Sequence, residues 1–426
     1  MKHIGITFLV LGIITFSIPN AMGSCECRNT DEKMQPLAHF TSTPWLTSTD
    51  IQKLQQEGKE KGWTFTIGET VATRRSFSEL CGLIEPENWW ATAEFDPCIP
   101  TRNLPEKFDW RQQGGCTSVK DQGPCGSCWA FGSLAPLECN ILIKDKIEVD
   151  LSEQWLVSCN KEGWGCNGGW WAHRYFQYMK DPCNGTGAVL ENDFPYAAKN
   201  LPCDCPYPHK YFIDDWKFIG FGQGIPPIDS MKQAILQYGP ISVAVAVNQG
   251  FGAYTGGIFN DNTPAQINHA VSLVGWDDTL GTQGVWILRN SWGPNWGDNG
   301  YMYIEYGVCK VGYAACYVVY PVKTDIAISG GLTGVKIDIT NRANIASTDI
   351  NWEFSMTGGA KKAIDFSLQG TIDALEPGKT VHKRVTRFGF GYIQISISAD
   401  PLKSGKVAKT ANALLCGLTV ILLPNQ

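Results

Sequence analysis

Apolar residues follow different rules in different parts of the chain. Lys2 and His3 precede a predominantly apolar run from Ile4 to Ile18, closed by Pro19 and Asn20, with small residues at Ala21 and Gly23. The run is about 15 residues long, short of the roughly 20 a spanning helix needs. Basic start, apolar centre and small-residue end predict a cleaved export signal over residues 1–23. Residues 24–103 are polar and hold one helical pattern, with Ser48, Thr49 or Asp50 as cap, Ile51, Leu54 and Gln55 as its first turns, and Gly62 as its stop. Residues 104–322 give helix signals early and alternating strands late. After Pro321 the period is two: Val335, Ile337 and Ile339, then Trp352, Phe354 and Met356, then Ile393, Ile395 and Ile397 alternate with polar partners. Turns at Gly358-Gly359, Pro377-Gly378 and Pro401–Gly405 separate these runs. The pattern predicts an antiparallel sandwich of about a hundred residues over 323–426. Ala411–Leu423 is apolar but short and contains Asn412, so it reads as a buried strand.

Composition narrows the class. A chain of 426 residues carries two or three folded units. With 43% hydrophobic and 18% charged residues it is too apolar for disorder. A net charge of -6 excludes a basic footprint for nucleic acid or anionic lipid. Sixteen cysteines agree with an exported protein. Cys25-x-Cys27 and Cys203-x-Cys205 lack zinc spacing and paired histidines, so neither metal nor cofactor is expected. Met22-Gly23-Ser24-Cys25 also resembles a bacterial lipobox, which leaves a lipid anchor on Cys25 as an alternative to free secretion.

The chemistry concentrates in Gln122-Gly-Pro-Cys125-Gly-Ser-Cys128-Trp129-Ala-Phe131. A glycine-rich turn runs into a helix that opens at Cys128. Unpaired N–H groups at a helix N-terminus favour a thiolate, so Cys128 is expected to titrate below a free thiol's roughly 8.5. The chain here resembles the papain-like cysteine proteases, over residues 104–322. The resemblance implies an α+β, two-lobed fold, with a helical lobe and a β-barrel-like lobe, and an N-terminal propeptide over 24–103, while the appended all-β, immunoglobulin-like sandwich is not part of the family core. The sandwich itself, through Phe388-Gly-Phe-Gly-Tyr392, resembles modules of prokaryotic surface proteins.

His269, in Asn268-His269-Ala270-Val271, follows Cys128 by about 140 residues, inside the family window. It is the expected acid–base partner. His39, His173, His209 and His382 lack such context and are expected at the surface or in packing. Asn290, in Asn290-Ser-Trp292-Gly, can accept from one imidazole nitrogen and leave the other to face sulfur. The resemblance implies that Trp292 shields that bond and that Gln122 supplies an oxyanion donor. It implies that Gly168 and Gly169 pair with a substrate's backbone, and that Trp170, Trp171, Ala244 and Ile267 line an uncharged S2 pocket suited to apolar P2 side chains.

The resemblance also implies the bridges Cys125–Cys166 and Cys159–Cys203, with Cys205 as reserve partner of Cys159. It leaves Cys81, Cys98, Cys116, Cys139, Cys183, Cys309, Cys316 and Cys416 without assigned partners. Setting Cys128 aside leaves an odd number of cysteines. Residues from Lys61 to Gly82 resemble a short cathepsin B-type propeptide. The paired histidines that block the primed side in cathepsin B have no counterpart between Asp181 and Cys205. The expected function is therefore a monomeric endopeptidase acting on protein or peptide substrates and inhibited by its own propeptide. It is expected to be secreted, with a lysosome-like or vacuolar compartment, or the periplasm, as alternatives. An exopeptidase and an inactive binding protein on a protease fold are the competing readings.

Overall fold

The computed structural model describes residues 43–100, 103–321, 324–342, 347–376, 378–400 and 407–423. The export signal, the lipid-anchor alternative at Cys25, His39 and the turn at Pro401–Gly405 lie outside these residues. Among those described, no helix is long and apolar enough to cross a membrane.

The first helix, α1 (Ser48–Lys61), begins one residue before the expected caps. Thr47 is the N-cap: its N–H donates to Asp50 Oδ2 at 3.0 Å, and Asp50 N–H donates back to Thr47 Oγ1 at 3.3 Å. Asp50 is thus the far end of a capping box. Gly62 closes the helix with φ 69°. Ile51 and Leu54 bury against Leu46 and Ala253. The chain then adds the strand Phe65–Ile67 to the edge strand Tyr254–Phe259, where Phe65 lies 4.5 Å from the Phe259 ring. A second capped turn, α2 (Phe77–Leu80), follows, with Ser76 N–H on Glu79 Oε2 at 2.7 Å.

One large sheet runs through the following lobe. From that edge its order is Phe65–Ile67, Tyr254–Phe259, Tyr301–Glu305, Val285–Arg289, His269–Asp277, Ile241–Val245, Tyr313–Val319, Asp215–Ile219 and Phe95–Asp96. Trp276, Trp286, Trp292 and Trp296 fill its core together with Phe251 and Phe259. The other lobe is built on α3 (Cys128–Asp145), whose Trp129, Leu134, Leu137 and Ile141 bury with Trp155, Trp171, Tyr175 and Phe176.

Helix α3 carries Pro136 in its interior. Proline has no N–H for the carbonyl four residues back. That carbonyl, of Gly132, is taken by Ser242 Oγ at 2.7 Å from the neighbouring sheet. The irregularity therefore ties α3 to the strand beside His269–Asp277.

Three disulfides cross-link the helical lobe: Cys125–Cys166, Cys159–Cys203 and Cys183–Cys205. The third corrects the expectation for Cys205. The loop after Asp181 brings Cys183 to it, and Cys203 takes Cys159, so Cys205 is not a reserve partner. The two bridges lie side by side, with Cys183 Sγ 3.4 Å from Cys203 Sγ.

The C-terminal residues form two antiparallel sheets. Thr324–Gly331, Gly334–Asn341 and Thr380–Val385 make one. Ile364–Leu375, Ser347–Gly358, Gly389–Asp400, Val407–Gly417 and Thr419–Leu422 make the other. The alternating residues singled out from the sequence, Val335 to Ile339, Trp352 to Met356 and Ile393 to Ile397, all point into one shared core. Ala411–Leu423 is a hairpin at the sheet's edge, burying Ala413, Leu415 and Val420 while Asn412 faces out.

The sandwich core has no residue in common with the two upstream cores. A chain ending near Val322 is therefore expected to fold and keep the cooperative melting of the upstream lobes. Comparing thermal melts of the two lengths tests this, and loss of the upstream transition on shortening would count against independence.

Candidate active site

Cys128 opens α3 at the junction of the lobes. The Cys125–Cys166 bridge and the bond from Gly126 N–H to Cys166 O, 3.0 Å, hold the turn before it. The sulfur is fully buried and accepts the N–H of Gly82 at 3.2 Å. The N–H groups of Ala270, Trp129 and Cys128 itself also face it. Burial nonetheless dominates these donors and pushes the thiol up to about 11. The depressed value expected from the helix N-terminus does not hold while the sulfur is covered.

His269 begins its strand directly before Ala270, which places the imidazole beside the sulfur's pocket. Its Nε2 lies 2.8 Å from Asn290 Oδ1. Trp292, fully buried, packs on the imidazole with ring centroids 4.8 Å apart, and Trp296 backs it at 5.1 Å. Nδ1 makes no hydrogen bond of good geometry, and the Leu80 carbonyl is the nearby acceptor. Burial lowers the imidazole to about 4, partly countered by Asn290 and Leu80. In this covered state both thiol and imidazole are therefore held neutral.

Gln122 is held by four hydrogen bonds, to Ser291, the turn before Cys128 and the start of the covering segment. Its Oε1 accepts from Ser291 Oγ at 2.7 Å. Its Nε2 donates to the carbonyls of Cys125 at 3.0 Å, Glu79 at 3.0 Å and Leu80 at 3.1 Å. Just before it, Asp121 takes a two-pronged contact from Arg75, 2.8 and 2.9 Å, which pins the approach of the covering segment.

That segment, residues 80–85, threads the cleft. Gly169 N–H donates to Gly82 O at 2.9 Å, and Ile84 N–H returns to Gly169 O at 2.9 Å, a parallel pairing about Leu83. Leu83 N–H donates to Asn268 O at 3.0 Å. Glycine is required where these backbones meet. A Cβ on Gly82 would lie 1.7 Å from Gly126 O, and one on Gly169 would lie 2.7 Å from the Trp129 ring. Gly168, with φ 124°, faces Ile84.

Leu83 buries in one apolar cluster with Trp170, Trp171 and Ala244, and Ile267 packs against it. Trp170 lies 5.7 Å from Trp89, four residues past the covering segment, and Trp89 also packs on Phe218 at 4.4 Å. Glu85 is held by Tyr313 Oη, by Trp89 Nε1 at 2.8 Å and by Gln223 Nε2 at 3.2 Å. The sequence had singled out neither Tyr313 nor Gln223, because neither belongs to a motif. Tyr313 stands opposite Ala244 in strand register, and that register was the one available signal. His209 is drawn away from the cleft to Asp181 and Gly187 O. His173 is buried on Ser242 Oγ, and His382 sits in the sandwich on Asp338.

A family profile described as Papain family cysteine protease matches residues 104–321. Pro-cathepsin H of Mus musculus is 33% identical over 284 residues, covering 63% of this chain and 80% of that protein. Vignain of Phaseolus vulgaris is 36% identical over 212 residues, 49% of this chain, and the match spans only 56% of its own length. Among solved structures, digestive procathepsin L2 proteinase from Tenebrio molitor larval midgut superposes with a TM-score of 0.55 at 26% identity, covering 64% of this chain and 89% of that one. A recombinant stem bromelain precursor gives 0.53 at 28% identity, with the same coverage of 64% and 89%.

The contact between Gly82 and Gly126 is backbone against backbone and has no room to relax. Gly82→Ala is expected to lift the segment and speed alkylation of Cys128 by iodoacetamide in the precursor at least about tenfold, a shift of about 1.4 kcal/mol in closure. An unchanged alkylation rate in a folded variant would show that the segment does not close the cleft through Gly82.

Proposed function

Because the chain belongs to the papain family of cysteine proteases, we propose that it is the inactive precursor of an exported endopeptidase, with Cys128 as nucleophile and His269 as acid and base. One observation carries the reading. The cleft already grips a polypeptide backbone, with a carbonyl oxygen 3.1 Å from Gln122 Nε2 and an N–H on the Cys128 sulfur. Hydrolysis needs one carbonyl group to meet both. Here the oxyanion donor and the nucleophile are occupied by different peptide units, Leu80 and Gly82, so the segment blocks without being cut.

Once the segment has left, water returns to the cleft and the helix N-terminus favours the thiolate. The sulfur attacks a carbonyl carbon, and the oxyanion is met by Gln122 Nε2 and the Cys128 N–H. His269 gives its proton to the leaving amine, then takes one from the water that releases the acyl group. Asn290 keeps the imidazole oriented, and Trp292 keeps water from that bond. Removal of the propeptide by a cut near Asn103 activates the enzyme, and the export signal of residues 1–23 directs it out of the cytoplasm.

Internal cleavage is supported by the covering segment, a continuous stretch of backbone held from Arg75 on Asp121, past Gly169, to Glu85 on Gln223. The burial of Leu83 in the same apolar cluster as Trp170 and Ala244 supports an apolar P2 preference. With the S2 residues uncharged, a P2 arginine buries a guanidinium without a carboxylate.

Cys128→Ala and His269→Ala are expected to abolish turnover by the processed enzyme. Asn290→Ala is expected to keep residual activity, and Gln122→Ala to lose roughly 100- to 1,000-fold in kcat. Peptides blocked at both ends should be cut far faster with Leu or Val at P2 than with Arg at P2. Dipeptide release from free ends alone would move the enzyme to the exopeptidase reading, and turnover by Cys128→Ala would remove the nucleophile.

Closure also has a pH dependence. The covered imidazole is held down to about 4 from its ordinary value of 6.5, so the closed state binds fewer protons than the open one. Its stabilising contribution is complete above the ordinary value and falls as pH drops towards about 4. Processing of the precursor should therefore accelerate through that window, read as the rate of propeptide loss against pH. A rate that is flat or falls with acidification contradicts control through His269.

A further inference from the structure

The covering segment carries a cysteine at the point where it crosses the nucleophile. Cys81 lies between Leu80, whose carbonyl is held by Gln122 at 3.1 Å, and Gly82, whose N–H lies 3.2 Å from Cys128 Sγ. Standard peptide dimensions then put the Cys81 Cα no more than about 5.6 Å from that sulfur. In a trans peptide the N–H and the preceding Cα lie on the same side. With the Gly82 N–H aimed at the sulfur, the Cys81 Cα therefore stands roughly 4 Å from it, about the separation of one cysteine's Cα from the other's sulfur across a disulfide. We propose that Cys81 and Cys128 form a disulfide, so that oxidation joins the propeptide covalently to the catalytic sulfur and reduction is a separate requirement for activation. The proposal rests on the zymogen reading above and goes beyond it, because a contact that blocks by shape alone needs no sulfur at position 81.

Three further observations agree. Among the described residues Cys81 and Cys128 are both outside the three bridges. Burial first, and then the charge of the Cys128 sulfur, push the Cys81 thiol well up. Joining the two also leaves the remaining fourteen of the sixteen cysteines even in number.

The oxidant is a low-molecular-weight disulfide, RSSR, reached by ordinary exchange. Both thiols are held neutral while the segment is closed, so the first attack belongs to moments when residues 80–85 are lifted. Cys128 thiolate then attacks RSSR: a Cys128–SR bond forms, the RS–SR bond breaks, and RS⁻ leaves and takes a proton. Closure returns Cys81 at high effective concentration. Its thiolate attacks the Cys128 sulfur, the Cys81–Cys128 bond forms, and the second RS⁻ leaves. Two protein thiols lose two electrons, and one RSSR becomes two RSH. A dithiol reductant reverses both steps.

The full precursor is incubated with glutathione disulfide, quenched with iodoacetamide and digested without reduction. The expected tryptic product is the peptide Ser76–Arg102 joined to Asp121–Lys144, which still carries Glu162–Arg174 through the Cys125–Cys166 bridge, with fragmentation placing the new bond at Cys81 and Cys128. Alkylation of Cys128 should slow at least about tenfold and recover with dithiothreitol. In Cys81→Ser the first step remains and the second is lost, so Cys128 should accumulate bound glutathione. Recovery of wild-type Cys81 in alkylated or glutathionylated form without the cross-link overturns the proposal, as does a bond from Cys98 in its place. These readouts are masses, independent of turnover. Failure of the protease reading would appear instead as a processed enzyme that cuts no peptide.

Discussion

The N-terminus of α3 is the fixed point of the cleft. The helix is buried along most of its length, and its first residue supplies the sulfur. Its preceding turn is tied by the Cys125–Cys166 bridge, and its interior is pinned to the sheet through Gly132 O and Ser242 Oγ. The strand that brings His269 is two-sided and wholly buried up to Trp276. Motion of either group would disturb a close-packed core, so the relative placement of sulfur and imidazole is set by packing rather than by a bond between them. Asn290 and Trp292, on the chain just after the neighbouring strand, add the orientation of the ring to that placement.

The charge state of the pair is, by contrast, not fixed by the helix alone. N–H groups directed at a sulfur stabilise a thiolate when water solvates the remainder of the ion pair. Under the covering segment the same donors are outweighed by burial, and the imidazole loses its charge for the same reason. One conformational element thus controls access and electrostatics together. Residues as far apart as Arg75 on Asp121 and Glu85 on Tyr313 and Gln223 hold it down at its two ends.

The four candidate positions that meet at the cleft were legible in the sequence because each sits in a short local pattern whose neighbours have their own physical role. Glycines make the turn before Cys128, and tryptophan follows Asn290. The sandwich was legible because period-two alternation survives wherever one face of a sheet is buried. The Cys183–Cys205 bridge was not, since pairing depends on how a loop of irregular backbone returns in space. The cap of α1 shifted to Thr47 because a carboxylate three residues on can serve either as cap or as the group that answers one. The neutral state of Cys128 was invisible for a different reason: its cause is burial by residues about 46 positions upstream, which no local pattern encodes.

The parallel pairing of Leu83 with Gly169 has a consequence for ligand design. Reversing the direction of a backbone exchanges the places of its donors and acceptors. A short synthetic peptide that copies residues 80–85 in their natural order would keep Leu83 in its apolar cluster and present the sulfur with an N–H, giving a ligand that resists turnover. The same side chains strung in the opposite order would offer a carbonyl at that point and become a candidate substrate. Potency and lability are thereby separated by chain direction alone, at constant composition.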